Sequence, residues 1–153
     1  MGETSLKQKL RSEQTMIKLI IGNKGSGKTK KLIDLVNTTA ENSKGNVVCV
    51  EKGDTLTYNI THKARLIDAE VYGISGYSEL YALLCGIQSS NHDVTDIFVD
   101  ATLRLGSRNY DELAAFLERL SAAAEDSNTN YIFTISCDES ALPAKVFEVA
   151  EKI

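Results

Sequence analysis

Apolar positions along this chain fall into short dense blocks separated by longer stretches with helical spacing. Met16-Ile17-Lys18-Leu19-Ile20-Ile21 is the first block; Val47-Val48-Cys49-Val50, Ile97-Phe98-Val99 and Tyr131-Ile132-Phe133-Thr134-Ile135-Ser136 follow. Short, nearly wholly apolar runs are the mark of strands covered on both faces. Between them the period changes. A helix is predicted over 28–42, ended by Lys44-Gly45-Asn46, with glycine where a helix C-terminus favours it. Ser75-Gly76-Tyr77-Ser78 introduces a second helix through Ile87, apolar nearly all round and so expected to be packed core. A third carries Leu113, Phe116, Leu117 and Leu120 on one face. Residues 65–72 alternate imperfectly and predict a peripheral strand, while 52–63 are polar and turn-rich. Pro143, the only proline, is placed at the start of a last short helix, where its missing N–H costs little. Residues 1–15 are polar around Leu6 and Leu10 and read as a tail or short amphipathic helix ahead of one domain over 16–153.

Strands alternating with helices predict an α/β three-layer sandwich with a mostly parallel sheet. In such sheets a ligand lies at the C-terminal ends of the strands. Four sets of polar residues occupy those ends and are expected to converge: the segment after the first strand, Glu51, Asp100, and Ser136 with Asp138.

The first set is the most specific. Gly22-Asn23-Lys24-Gly25-Ser26-Gly27-Lys28-Thr29 fills every fixed position of G-x-x-x-x-G-K-[ST], and it lies between a strand and a helix as that pattern requires. Its glycines permit backbone angles that a Cβ would forbid, so successive N–H groups converge on phosphate oxygens at the positive end of the following helix. Lys28 carries a flexible point charge for the β- and γ-phosphates, and the Thr29 hydroxyl is a ligand for Mg²⁺. ATP and Mg²⁺ are the implied cofactors. The alternative is a glycine-rich turn that binds nothing.

Asp96-Ile97-Phe98-Val99-Asp100 resembles the Walker B element of P-loop NTPases, which implies that Asp100 fixes Mg²⁺ opposite Thr29; the alternative is an aspartate capping a turn. Many ATPases of the additional-strand group follow this aspartate with a water-activating glutamate, where this chain has Ala101. The layout also resembles RecA-like ATPases, which implies Glu51 as the catalytic carboxylate; a solvated charge opening a loop is the other reading. Asp138 and Ser136 resemble a polar sensor of γ-phosphate, or else cap a turn. With Lys28, Glu51 and Asp138 make up the expected catalytic set. Arg104 and Arg108 either reach into a neighbouring molecule's site or form exposed salt bridges.

The stretch from Met16 to about Asp138 is similar to the P-loop NTPase superfamily, and more narrowly to short bacterial ATP-binding proteins labelled as twitching-motility (PilT-like) ATPases. The resemblance implies nucleotide binding and not pilus retraction, since the longer retraction motors carry a further domain and motifs absent here. The deviant loop of ParA/MinD-type proteins places a second lysine directly after the first glycine, where this chain has Asn23. Small nucleoside kinases share the opening strand, loop and helix, but neither a basic lid nor zinc cysteines are found.

Composition narrows the partners. The 153 residues are 42% hydrophobic and 25% charged with a net charge of −4, ordinary for a globular chain and against a broad nucleic-acid or membrane footprint. Cys49, Cys85 and Cys137 sit far apart in apolar runs and read as buried reduced thiols of a cytoplasmic protein; His62 and His92 stand alone, so no zinc site is expected. No run is long enough for a membrane span, and Leu6 breaks the myristoylation pattern. The function expected is a Mg-ATP-binding protein with weak or partner-activated ATPase activity, switching self-assembly as a homo-oligomer or binding to a protein partner. Two alternatives stay open: a small-molecule kinase of nucleoside type, and an interaction protein that nucleotide stabilises without turnover.

Overall fold

The computed structural model describes residues 16–153; the expected N-terminal tail or helix lies outside the described residues. The chain runs β1 (Ile17–Gly22), α1 (Lys28–Asn42), β2 (Asn46–Glu51), β3 (Ala64–Asp68), α2 (Tyr77–Ser90), β4 (Val94–Val99), α3 (Thr102–Leu105), α4 (Tyr110–Ala124), β5 (Asn130–Ser136), a 3₁₀ turn (Glu139–Ala141), α5 (Val146–Val149) and β6 (Glu151–Lys152). All six strands are parallel in the order β3-β2-β4-β5-β1-β6. The fold is an α/β three-layer sandwich.

Register places the strand ends together. Gly22 pairs with Ser136, Val50 with Val99 and Glu51 with Asp68, so the polar residues after β1, β2, β4 and β5 emerge along one rim of the sheet. The strand carrying Asp100 at its end is separated from β1 by β5.

The period of two along each strand fills both layers. Ile17, Leu19, Val48, Val50, Ile97, Val99 and Phe133 face α2 and α4, where Phe116 meets Phe133 edge-on at 5.8 Å between ring centres. Ile20, Val47, Cys49, Phe98 and Ile132 face α1 through Leu32 and Val36. The β2–β3 connection is also on the α1 side, as turns rather than a helix: Leu56 and Ile60 pack into that layer. Asn37 of α1 clamps it, donating to the Asn59 carbonyl and accepting from the Thr61 N–H, both at 2.9 Å.

Four local expectations are corrected. The second helix is packed core along one stripe only: in α2 Leu80 and Leu84 are fully buried against α4 and β4, while Tyr77, Tyr81, Leu83 and Ile87 pack beside them half-buried. The rest borders a cleft of about 860 Å³ between Leu83 and Ile87 of α2 and Val48 and Ile67 of the sheet. Cys85 on the same helix is only half-buried, unlike Cys49 and Cys137. β3 stops at Asp68, whose carboxylate accepts from the N–H groups of Gly53 and Glu70 and turns the chain. Pro143 precedes the last helix instead of starting it: its carbonyl accepts from the Val146 N–H at 3.0 Å, and α5 begins there.

Candidate functional site

The segment between β1 and α1 is a loop wrapped around one lysine. Gly25 and Gly27 both stand at φ of +85°, the left-handed region that side chains disfavour. A Cβ on Gly22 would run into the Ser26 hydroxyl, so glycine lets the chain fold back there without displacing that side chain. The Ser26 N–H closes the turn onto the Asn23 carbonyl at 3.1 Å, and the Lys28 ammonium donates to that same carbonyl at 3.1 Å. Lys28 is 9% exposed, its stem buried and its charge turned into the loop.

α1 starts from this loop without a side-chain cap and with no acidic residue in its first turn. α4 shows the contrast: Asn109 accepts from the N–H groups of Asp111 and Glu112, and both of those are acidic. The positive end of α1 thus keeps its amides available to an external anion.

Thr29 and Asp100 meet across the sheet. The Thr29 hydroxyl lies 3.5 and 3.4 Å from the two carboxylate oxygens of Asp100. The carboxylate is itself held: the Thr134 hydroxyl of β5 donates to its Oδ1 at 2.7 Å and accepts from the Ala101 N–H at 3.0 Å. Ala101 stands at φ 56° and ψ 44°, the only non-glycine residue with positive φ among those described. Sequence reasoning missed Thr134. Its signal was a hydroxyl in an otherwise apolar strand, which reads as a β-branched packing residue until its partner is known.

Lys24, Lys28, Thr29, Asp100, Thr134 and Ser136 line one cleft of about 610 Å³, and Arg104 and Arg108 line it too. Glu51 does not. It is 2% exposed, with its oxygens engaged by the Thr55 hydroxyl at 3.1 Å and the Leu56 N–H at 3.2 and 3.3 Å. Burial pushes its carboxyl above the ordinary value, the Asp100 charge adds to this, and the bonds from Leu56 and Thr55 pull the other way. Asp138 is exposed and caps the 3₁₀ turn: the Ser140 N–H and hydroxyl, at 3.0 and 2.8 Å, hold its carboxyl below the usual range. The rim therefore gathers the loop, Asp100 and Ser136 into one cleft, with Glu51 beneath the next connection and Asp138 turned to solvent.

The chemistry of this set fits a metal shared with phosphate. One hydroxyl facing one carboxylate is too little to cage an ion, and no group of three or more His, Cys, Asp or Glu able to hold a metal occurs among the described residues. Mg²⁺ bound through one carboxylate takes its remaining ligands from phosphates and water.

No family model matches the chain, and no curated protein matches its sequence. Solved structures do match its fold. It is similar to PCH-2 of C. elegans, an AAA+ ATPase, with a TM-score of 0.55 and 12% identity over 99% of this chain and 41% of that one. It is also similar to the flagellar accessory protein FlaH of Methanocaldococcus jannaschii, a RecA-like ATPase, with a TM-score of 0.53 and 16% identity over 88% of this chain and 66% of that one. The fold is P-loop NTPase-like, the architecture that these two proteins share. The chain spans under half of PCH-2 and about two thirds of FlaH. Among the described residues no helix is long and apolar enough to cross a membrane.

Proposed function

We propose that this protein binds Mg-ATP at the loop Gly22–Thr29 and hydrolyses it slowly or on contact with a partner, the bound state switching self-assembly or partner binding. The observation that carries this reading is the Thr29–Asp100 pair, set side by side at the end of a glycine loop that presents Lys28 and an uncapped helix terminus. Two ATPases sharing the fold support it. The narrower likeness to PilT-like ATP-binding proteins rests on the same loop and Asp100, and brings nucleotide binding with it.

In this reading the loop amides from Gly22 to Thr29 bind the phosphate oxygens, and Lys28 exchanges the Asn23 carbonyl for the β- and γ-phosphates. Thr29 and Asp100 hold Mg²⁺, which neutralises charge on the phosphates when bound. Thr134 keeps Asp100 in place, and Ser136 offers a hydroxyl to the terminal phosphate or its water.

Proton abstraction is the weak point, and it accounts for slow turnover. Glu51 acts as the base only if its carboxylate leaves Thr55 and Leu56, a rearrangement that a partner or nucleotide must drive. Asp138, which follows β5 and faces solvent, is the second carboxylate proposed, and it is freed only by opening its turn. Cytoplasmic placement is part of the proposal, resting on unpaired thiols and a buried Cys49 whose pKa burial pushes up to about 12.

Phosphate release by the purified protein tests the reading. Release that falls about 10²–10⁴-fold in Glu51→Gln at unchanged ATP affinity supports hydrolysis with Glu51 as base. Transfer only to an added nucleoside identifies a kinase, and tight binding without either identifies a nucleotide-stabilised interaction protein.

A further inference from the structure

The turn between α3 and α4 contributes two cations to the nucleotide cleft that the phosphate loop does not explain. Arg104 and Arg108 are exposed, line the same cleft as Lys28 and Thr29, and have no carboxylate partner among the described residues. Lys63 and Lys152, by contrast, are paired with Glu41 and Glu139. Burial pushes the Cys137 thiol up, while the charges of Lys28 and Arg108 both pull it down, so each is close enough to act on it. Lys24 and Lys30 join them at the cleft, whose only lining carboxylate among the described residues is Asp100. In a chain with a net charge of −4, such a concentration of positive charge belongs to an anionic ligand.

Their carrier is held rigidly in a conformation that the local sequence does not favour. Ala101 is left-handed, and the buried Thr102 hydroxyl after it has no hydrogen-bond partner. Both unfavourable features are fixed from outside. Thr134 accepts from the Ala101 N–H at one end, while at the other the Leu105 carbonyl accepts from Gly76 at 2.8 Å and the Ser107 carbonyl from the Tyr77 hydroxyl at 2.6 Å. The same Thr134 bonds Asp100, so the arginine-bearing turn and the metal aspartate share one anchor.

We propose that Arg104 and Arg108 bind the terminal phosphate of the nucleotide held by their own chain, so that residues 101–108 complete the anion site without a neighbouring molecule. The planar fork of arginine suits phosphoryl oxygens, which it grips with two parallel hydrogen bonds. The proposal rests on the nucleotide reading above.

Calorimetry with Mg-ATP and Mg-ADP on the whole chain, with mixing of two variants, tests it. Arg104→Ala combined with Arg108→Ala should weaken Mg-ATP binding by about 10- to 100-fold, the range for hydrogen bonds to charged groups, and weaken Mg-ADP binding much less. The melting temperature without nucleotide should not move, since both side chains are exposed. Phosphate release should not recover when this double variant is mixed with Lys28→Ala. Unchanged Mg-ATP affinity in the double variant overturns the proposal, as does an equal loss for ADP, and recovery on mixing shows that the arginines act between molecules. A wild-type protein that binds no Mg-ATP removes the nucleotide reading itself, an outcome distinct from the others.

Discussion

Thr134 does two things with one hydroxyl, donating to Asp100 and accepting from Ala101, and it is the residue on which the geometry of the site depends. Thr134→Val keeps the shape and removes the oxygen. It leaves the Ala101 N–H without its acceptor and Asp100 free to rotate, so stability should fall by about 1–3 kcal/mol and Mg²⁺ should enhance nucleotide affinity less. Urea unfolding and calorimetry with and without Mg²⁺ check both. Glu51 provides a test of pH dependence. Burial pushes its folded-state pKa up, so the folded state holds the proton more tightly than the unfolded chain does. That contribution is complete below the unfolded value and is lost as pH rises through the folded value. Glu51→Gln should therefore gain in urea midpoint relative to the wild type at pH 7 and lose that gain toward pH 4; a constant difference would contradict the assignment. At this scale the meeting of the loop residues with Asp100 at one cleft was legible, because type and spacing place them at the C-terminal ends of parallel strands. Thr134 and the strained Ala101 were not, since a threonine in an apolar strand and an alanine after an aspartate look ordinary until their partners are known.

The elements that position the site are fixed by close contacts at glycine. Gly106 follows α3, and a Cβ there would run into the ring of Tyr77, whose hydroxyl bonds the Ser107 carbonyl and whose ring lies 5.1 Å from that of Phe116. Gly106→Ala must push this ring aside. It should lower the unfolding free energy by about 1–3 kcal/mol, the usual cost of overpacking, and thermal unfolding would show it; an unchanged melting temperature would mean that the turn yields freely. Most element types were readable from period and punctuation: β1, α1, β2, α4 and β5 fall where the apolar pattern puts them. The failures have physical causes. α2 has the composition of a core helix, but burial depends on what lies above it, and the sheet beside it is left open. β6 is two residues long and exists only through its pairing with Lys18 and Leu19 of β1, so no local pattern announces it. The helix near Pro143 begins later because the proline first serves a turn.

For the whole molecule, the alternation of strands and helices was enough to foresee a parallel sheet, whereas the strand order was not, because it is set by non-local pairings. The order matters to function: placing β5 between β1 and β4 is what brings Thr134 to Asp100 and Ser136 beside Gly22. The sheet thus joins the Gly22–Thr29 loop and Asp100 into one rim, and the account stands on the proposal that this rim binds a nucleotide. The direct measurement is calorimetric titration of Mg-ATP into the wild-type chain and into Lys28→Ala. The account predicts binding at one site per chain in the wild type and a loss of about 10-fold or more in the variant, with the fold preserved, because the lysine's native partner is only a carbonyl of its own loop. No binding to the wild type, or equal affinity in the two proteins, would contradict it.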